Sequence, residues 1–556
     1  MSKFSMNNSF HVGHLAILIV VAVLCYLPFI NKAVHIDDPL FIRAAQHIQD
    51  YPSNPYGFDV NWYGRTMPMH EVTKNPPLAS YYMAAGAYFF GWDEQTLHLL
   101  FILPFVGFII GTYMLGMLFC SRPLDASLIA LLTPVVLLSA TTLMCDILMA
   151  AFWVWAIFSW IKGIQKNNRL LLVSSALLIA CSALTKYFGM NLILLLLIWT
   201  VVEKRRLDAS LLFLLIPAGI LAGYHWATYV LYGKGLLIDA VSYSVQFGTI
   251  GSKTYLSKFL LGFAFTGGCF TIILFYLRRL WSPVFLLFNG ALAAGLIVLL
   301  IKLGTIGKVT LANDAGIRWD YILQFSLCAL AGINIIVIAT ADIIQKRDAG
   351  SVLLFLWVIG VFLFAVLINW SINGRTLLPL APAVGILIVR RNESVLKTVA
   401  SRSGWKNYFP LIPAGLLALL ITYSDYNLAN TIRDDAATIV KRYQSCNSTI
   451  WFQGHWGFQY YMESFGCKPL DTSQPDFSPG DIIVNPLNNT NLYRLPSYMP
   501  LRDSLESKTF TWLTCMNKQA RAGFYSDVWG PLPFVFGTVQ PERYDIHISL
   551  RELRYK

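Results

Sequence analysis

The sequence predicts a polytopic α-helical membrane protein of about 13 transmembrane helices with a small C-terminal α/β extracytoplasmic domain. Three observations predict it. Hydrophobic residues make up 56% of the 556 residues and charged residues only 13%, against about 25% charged in an average soluble domain. The apolar residues fall in runs near the length that crosses a bilayer core. Between the runs, Lys and Arg cluster in every second loop, as the cytoplasmic loops of membrane proteins do.

The first run (HLAILIVVAVLCYLPFI) is long for a signal-peptide core, and no small-x-small site follows it. It reads as an uncleaved first span over 12–31. Further spans are expected at 98–119, 124–142, 145–163, 169–185, 188–202, 208–232, 258–277, 281–302, 317–341, 351–370, 376–390 and 408–423. The basic clusters are Arg122; Lys162, Lys166 and Arg169; Lys204, Arg205 and Arg206; Arg278 and Arg279; Lys346 and Arg347; and Arg390, Arg391, Lys397, Arg402 and Lys406. The positive-inside rule puts these clusters and the N-terminus in the cytoplasm. An odd number of spans then puts the C-terminus outside.

Residues 76–92 (PPLASYYMAAGAYFFGW) are apolar enough to resemble a span. If they crossed, the later basic clusters would move outside. They are therefore read as an interfacial or re-entrant helix on the outer face. The apolar stretch 170–202 is interrupted at Thr185-Lys186-Tyr187-Phe188-Gly189. As one helix it would reach about 50 Å, too long for a bilayer core, so two short helices turning at Lys186 are expected. The chain divides into a transmembrane part, 1–423, with a first outer loop at 32–97, and a soluble part, 424–556. In the tail, helices are expected at 427–444 and 455–465, and strands at 449–453, 481–484 and 509–513. Helix and strand in alternation suggest a small α/β domain.

The net charge of +12 and the isoelectric point near 9.1 would raise nucleic acid in a soluble protein. Here the basic residues sit between spans, so no nucleic-acid partner is expected. Most of the nine cysteines lie in apolar runs and read as small core residues. Cys446, Cys467 and Cys515 fall in the tail, where two of them could pair. No CxxC or His/Cys array suggests a structural metal.

The polar residues that could carry chemistry gather at the outer ends of the helices. Asp37 and Asp38 follow the first span; adjacent carboxylates there suit a general base or a metal ligand, or are plain hydrated loop acids. Asp146 heads the fourth span, where topology needs no charge; it is either functional or an acid favoured by the helix dipole. Lys186, alone at the turn between two short helices, suits a phosphate head group or snorkels to water. Arg375 stands on the outer side against the positive-inside trend, which favours a bound anion. Lys74 and Asn75 precede Pro76 and Pro77 at the start of the interfacial helix. Arg318 and Asp320 read as a structural ion pair.

An acidic pair after the first span, Asn75-Pro76-Pro77-Leu78 followed by aromatics, an Asp heading the fourth span, and Ala183-Leu184-Thr185-Lys186 together form an ordered pattern. It resembles the GT-C glycosyltransferase superfamily, nearest its protein O-mannosyltransferase and aminoarabinose-transferase branch. The resemblance covers roughly 10–200, and Gly374-Arg375 leading into Leu378-Pro379-Leu380-Ala381-Pro382 is again similar. The family often has Asp-Glu where this chain has Asp37-Asp38, and His or Lys where it has Asn75.

The resemblance implies a sugar transferred from a polyprenyl-phosphate donor to an acceptor hydroxyl on the outer face of the membrane. Asp37 would be the base; Asp38 and Asp146 would orient the acceptor. Asp37 and Asp146 would alternatively hold a divalent cation, Mg or Mn. Lys74, Asn75, Lys186 and Arg375 would hold the lipid phosphate. The acceptor would be a lipid, glycan or protein, and the setting a bacterial inner membrane with a periplasmic site. The tail, through the run from Trp451 to Trp456, would select the acceptor or would only pack. Other readings are a lipid-linked glycan transporter or flippase, or a polysaccharide polymerase or ligase.

Overall fold

The computed structural model describes residues 8–247, 255–314, 316–396, 408–444 and 448–554. The basic residues Lys397, Arg402 and Lys406, and Cys446, lie outside them. The protein is a polytopic helical membrane protein with a C-terminal sheet domain. Among the described residues nine helices are long and apolar enough to cross a membrane, or up to eleven if two bent pairs each count as one span. The two remaining predicted spans are also helical, as Arg169–Thr185 and Ala381–Leu396. With 17 and 16 residues, each spans about 25 Å, short of a bilayer core of about 30 Å. Of the about 13 spans expected, nine to eleven thus reach the length of a bilayer core as single helices or bent pairs, and Ala381–Leu396 continues directly from Gly374–Leu377 and Leu378–Leu380.

The first bent pair has a local cause. Pro123–Leu131 and Pro134–Ala140 meet at 65°. Pro134 lacks a donor and pushes Thr133 out of the helical region, to φ −106° and ψ 145°. Tyr255–Cys269 and Ile272–Leu280 meet at 89°. The turn expected at Lys186 is present. Arg169–Thr185 ends there, Lys186 is extended at φ −150° and ψ 128°, and Tyr187–Met190 and Asn191–Lys204 continue the chain. The segment 76–92 holds the helix Leu78–Phe90 of 13 residues, about 20 Å long and too short to cross. Gly91 at φ +95° ends it, and Tyr88, Phe89 and Phe90 are exposed at its end.

Leu411–Tyr443 is one helix of 33 residues. The division expected at 423/424 falls inside it. No Gly or Pro interrupts 424–443, so the polarity change there marks one face of a continuing helix. The sheet domain begins at Ile450. Its five strands run in the order Leu501–Ser507, Glu542–Ile548, Ile482–Pro486, Ile450–Phe452, Lys468–Pro469. Ile450–Phe452 is parallel to both neighbours, and the other pairs are antiparallel. The helix Trp456–Ser464 joins two of the parallel strands. The strand expected at 509–513 is instead Leu501–Ser507, whose polar sequence hides an edge strand. Cys467 and Cys515 are free and buried, so these two do not pair.

The domain is docked on the helices by backbone contacts. Gly374 N–H donates to the Phe524 carbonyl at 2.7 Å, and Asp527 N–H to the Ile372 carbonyl at 2.8 Å. A Cβ on Gly457 would stand 2.0 Å from the Val34 carbonyl oxygen, so only glycine permits that approach.

Glu542, buried in the sheet, accepts a hydrogen bond from Asn488 Nδ2 at 2.8 Å. Burial pushes its carboxyl up to about 8, against the Asn488 hydrogen bond, and Asp435 adds to the rise. The folded protein then holds a proton that the unfolded chain has lost, so stability falls as pH rises from about 4.5 to about 8. Thermal unfolding is expected at a higher temperature at about pH 5 than at about pH 8, with E542Q narrowing the gap. An unchanged gap in E542Q would refute this assignment.

Candidate active site

The helices and the sheet domain enclose a cavity of about 960 Å³. Asp37, Lys74, Asn75, Lys186 and Arg375 all line it. Four chain segments thus bring sequence-predicted residues to one place.

Each is aimed by its local structure. Asp37 is the residue before the helix Asp38–Asp50, whose first turn contains Pro39. Asp146 opens the helix Asp146–Lys166 and is fully buried. Arg375 lies in the short helix Gly374–Leu377, capped by Asn373, whose Oδ1 accepts from Thr376 N–H at 2.8 Å. Lys186 projects from the break between its two helices.

These four side chains form one chain of charges. Arg375 Nη2 is 3.0 Å from Asp37 Oδ2, and Nη1 is 3.9 Å from Asp146 Oδ2. Lys186 Nζ donates to Asp146 Oδ1 at 2.6 Å. Two cations and two carboxylates balance, which lowers the cost of burying them. Arg375 Nε and Asp146 Oδ2 have no hydrogen-bond partner. Buried polar atoms without partners are costly; Arg375 lines the cavity, where an incoming ligand can reach its guanidinium, whereas Asp146 does not line it.

Asp38 is elsewhere. It is buried, accepting from His35 N–H at 3.0 Å and Leu143 N–H at 2.9 Å, and it is not among the cavity residues. Burial pushes its carboxyl up to about 7, against the pull of Lys32 and the two backbone donors. The expected acceptor-orienting role is therefore corrected to a structural one: Asp38 ties the first loop to the end of the Pro134–Ala140 segment. Adjacent residues at a helix start point in different directions, which is why one of the pair faces the cavity and the other the core.

Lys74 lines the cavity but is paired with Asp239 at 2.6 Å, and it stands over the Tyr243 ring at 5.5 Å. Asp239 comes from the helix Leu236–Phe247, which had no place among the predicted elements. Asn75 lines the wall, and its carbonyl accepts from Tyr56 Oη at 2.9 Å. Arg318 and Asp320 are 3.4 Å apart and exposed.

The donor set does not fit a divalent cation in this arrangement. The Arg375 guanidinium stands between Asp37 and Asp146, and among the described residues no three His, Cys, Asp or Glu side chains could hold a metal.

Sequence reasoning missed the support beneath the site. Asp425 of the long helix is fully buried and ion-paired with the equally buried Lys32. It also accepts from Tyr525 Oη at 2.8 Å and Cys515 Sγ at 3.1 Å, with His35 Nε2 at 3.5 Å. The Arg375 guanidinium lies 5.5 Å from the Tyr525 ring centroid. Asp425 thus holds the ring on which Arg375 rests. The signal was an ionisable residue inside an apolar helix, which marks function by default.

Residues 74–232 match the sequence model of the family described as dolichyl-phosphate-mannose-protein mannosyltransferase. No curated protein sequence matches the chain. Among solved structures, the apo oligosaccharyltransferase of Archaeoglobus fulgidus is similar, with a TM-score of 0.48 at 15% identity, over 84% of this chain and 65% of that one. ArnT from Cupriavidus metallidurans bound to undecaprenyl phosphate gives 0.44 at 14% identity, over 87% and 94%. The arabinofuranosyltransferase AftD from Mycobacteria gives 0.40 at 12%, over 99% and 40%. The chain thus spans just under two thirds of the Archaeoglobus protein and most of the Cupriavidus one.

Proposed function

We propose that this protein is a membrane glycosyltransferase of the GT-C superfamily, as the family match over residues 74–232 supports, and that it moves a sugar from a polyprenyl-phosphate donor to an acceptor hydroxyl in this cavity. The observation that carries this reading is the chain of charges from Asp37 through Arg375 and Asp146 to Lys186. It sets a carboxylate and two cations around one space.

In this mechanism the donor phosphate competes with Asp37 for the guanidinium. Arg375 turns to the phosphate and releases the Asp37 carboxylate toward the acceptor. Asp37 takes the proton of the acceptor hydroxyl as its oxygen attacks the anomeric carbon. The bond from that carbon to the phosphate oxygen breaks, and polyprenyl phosphate leaves. Arg375 and Lys186 stabilise the charge that grows on the leaving phosphate, where fixed positive groups act most strongly. Asp146 keeps both cations in place. The positive-inside pattern supports an outer-face site, with the N-terminus cytoplasmic and the sheet domain extracytoplasmic; the family resemblance adds a bacterial inner membrane as the setting.

The test is transfer from labelled polyprenyl-phosphate sugars to a cell-envelope extract by purified protein in lipid. Asp37→Asn is expected to lower kcat by about 10²–10⁴-fold while the variant unfolds at the wild-type temperature. Full activity in that variant would end the assignment of the base.

A further inference from the structure

The cations deep in the cavity are all matched: Lys74 with Asp239, Lys186 with Asp146, Arg375 with Asp37. Three others line the same cavity and make no ion pair among the described residues: Lys308, Lys518 and Arg521. Lys308 and Lys518 are exposed, and Arg521 is half-buried.

They share this cavity with a pair of indoles. Trp456 and Trp529 also line the cavity, with ring centroids 5.0 Å apart. Trp456 sits at φ +63°, a left-handed conformation that is an outlier for a bulky side chain. Such strain persists only where the surroundings impose it, and it gathers at binding sites. Arg521 lies beside Trp529, because a Cβ on Gly530 would stand 1.8 Å from the Arg521 carbonyl oxygen. That carbonyl also accepts from Tyr321 Oη at 2.8 Å. Lys308 occupies the hairpin Thr305–Ile306/Val309–Thr310, whose Gly307 lies within 3.7 Å of Pro531, measured from an added Cβ. The Lys518 N–H donates to Asn488 Oδ1 at 3.0 Å, and the next residue, Asn489, accepts from the His455 N–H at 2.9 Å. Three segments that carry unneutralised cations therefore pack next to the segments of one aromatic pair and line the same cavity.

We infer that Lys308, Lys518 and Arg521, with the Trp456–Trp529 shelf, form an acceptor subsite for a sugar that bears an anionic group, a phosphate or a carboxylate. The inference rests on the transferase reading for the word acceptor. The indole faces suit the C–H face of a pyranose ring. The cations suit its anionic substituent, since charge-assisted hydrogen bonds are about twice as strong as neutral ones. Sequence distance concealed the subsite, because its parts lie on the 305–310 hairpin, the 455–456 corner and the 518–529 loop.

The experiment is ligand-observed NMR on the full chain in lipid nanodiscs, with glucose, glucuronic acid and glucose 6-phosphate as probes. Both anionic sugars are expected to bind about tenfold more tightly than glucose, with the advantage falling as salt rises. Lys518→Gln combined with Lys308→Gln is expected to remove most of that advantage and leave glucose binding as it was. Both positions are exposed, so folding is not at stake. Arg521→Gln is expected to act in the same direction, and Arg521→Lys to restore it. Equal affinity for all three probes overturns the inference, as does an advantage that survives the double variant. Undecaprenyl phosphate is added in a further arm. If it displaces glucose 6-phosphate, the cations serve the donor's phosphate and the acceptor assignment falls. A protein that transfers no sugar yet keeps the anion preference retires the transferase reading and leaves the anionic-sugar subsite standing.

Discussion

Asp425→Asn is expected to destabilise the protein by about 3–5 kcal/mol, the usual cost of removing one partner from a buried ion pair. Lys32 and Asp425 are both inaccessible to water, so no solvent compensates the ammonium left behind. The carboxylate also anchors Tyr525 and Cys515, and through them the first loop, the long helix and the sheet domain. Thermal and denaturant unfolding in detergent measure the loss. The double variant Asp425→Asn with Lys32→Met separates charge from packing, because it removes the orphaned ammonium as well. It is expected to recover a large part of the stability. A single variant as stable as the wild type would show that the pair contributes nothing. Transfer by the double variant reads the second role of Asp425. If Tyr525 no longer supports Arg375, KM for the donor rises even where folding is restored.

Arg375→Gln carries the largest expected effect on catalysis. Among the described residues its guanidinium is the one cationic group within 4 Å of both Asp37 and Asp146. Loss of a positive group aimed at developing charge costs about 10²–10³-fold in kcat. Arg375→Lys keeps the charge but not the planar fork, so it is expected to recover only part of the rate. The measurement is kcat and KM for a polyprenyl-phosphate sugar, with unfolding followed in parallel. If kcat is unchanged and only KM rises, Arg375 binds the donor equally in the ground and transition states. The role given to it at the leaving phosphate would then be abandoned. Asp146 keeps Lys186 as a partner in both variants, so the site does not collapse for want of a counter-charge.

The legible part of the site consists of charges that topology did not require. Lys186 stood out because it interrupts an apolar stretch too long for one helix, and the structure turns there. Asp146 stood out at a helix start, and Arg375 on a face where the positive-inside rule expects few cations. Lys186 and Arg375 meet Asp37 in one cavity, and Asp146 is buried behind them, paired with Lys186. Asp38 looked equivalent to Asp37, since sequence alone does not say which of two adjacent carboxylates turns inward. Lys74 looked free because Asp239 lies 165 positions away. The strand Leu501–Ser507 was hidden by its polar composition, because an edge strand pairs through its backbone.

The sequence by itself determined that this is a membrane protein, which long apolar segments are helical, that the chain turns at Lys186, and that a sheet-containing domain follows. Those properties are local, written in apolar runs, prolines and charge interruptions within a few turns of chain. Only the tertiary structure decided which charges neutralise one another. Lys32 and Asp425 are 393 positions apart, and Asp37 and Arg375 are 338 apart. The choice between a matched and an unmatched cation depends on which helices and loops pack together. That packing is driven by the burial of apolar surface, which is non-directional, so no short motif records it.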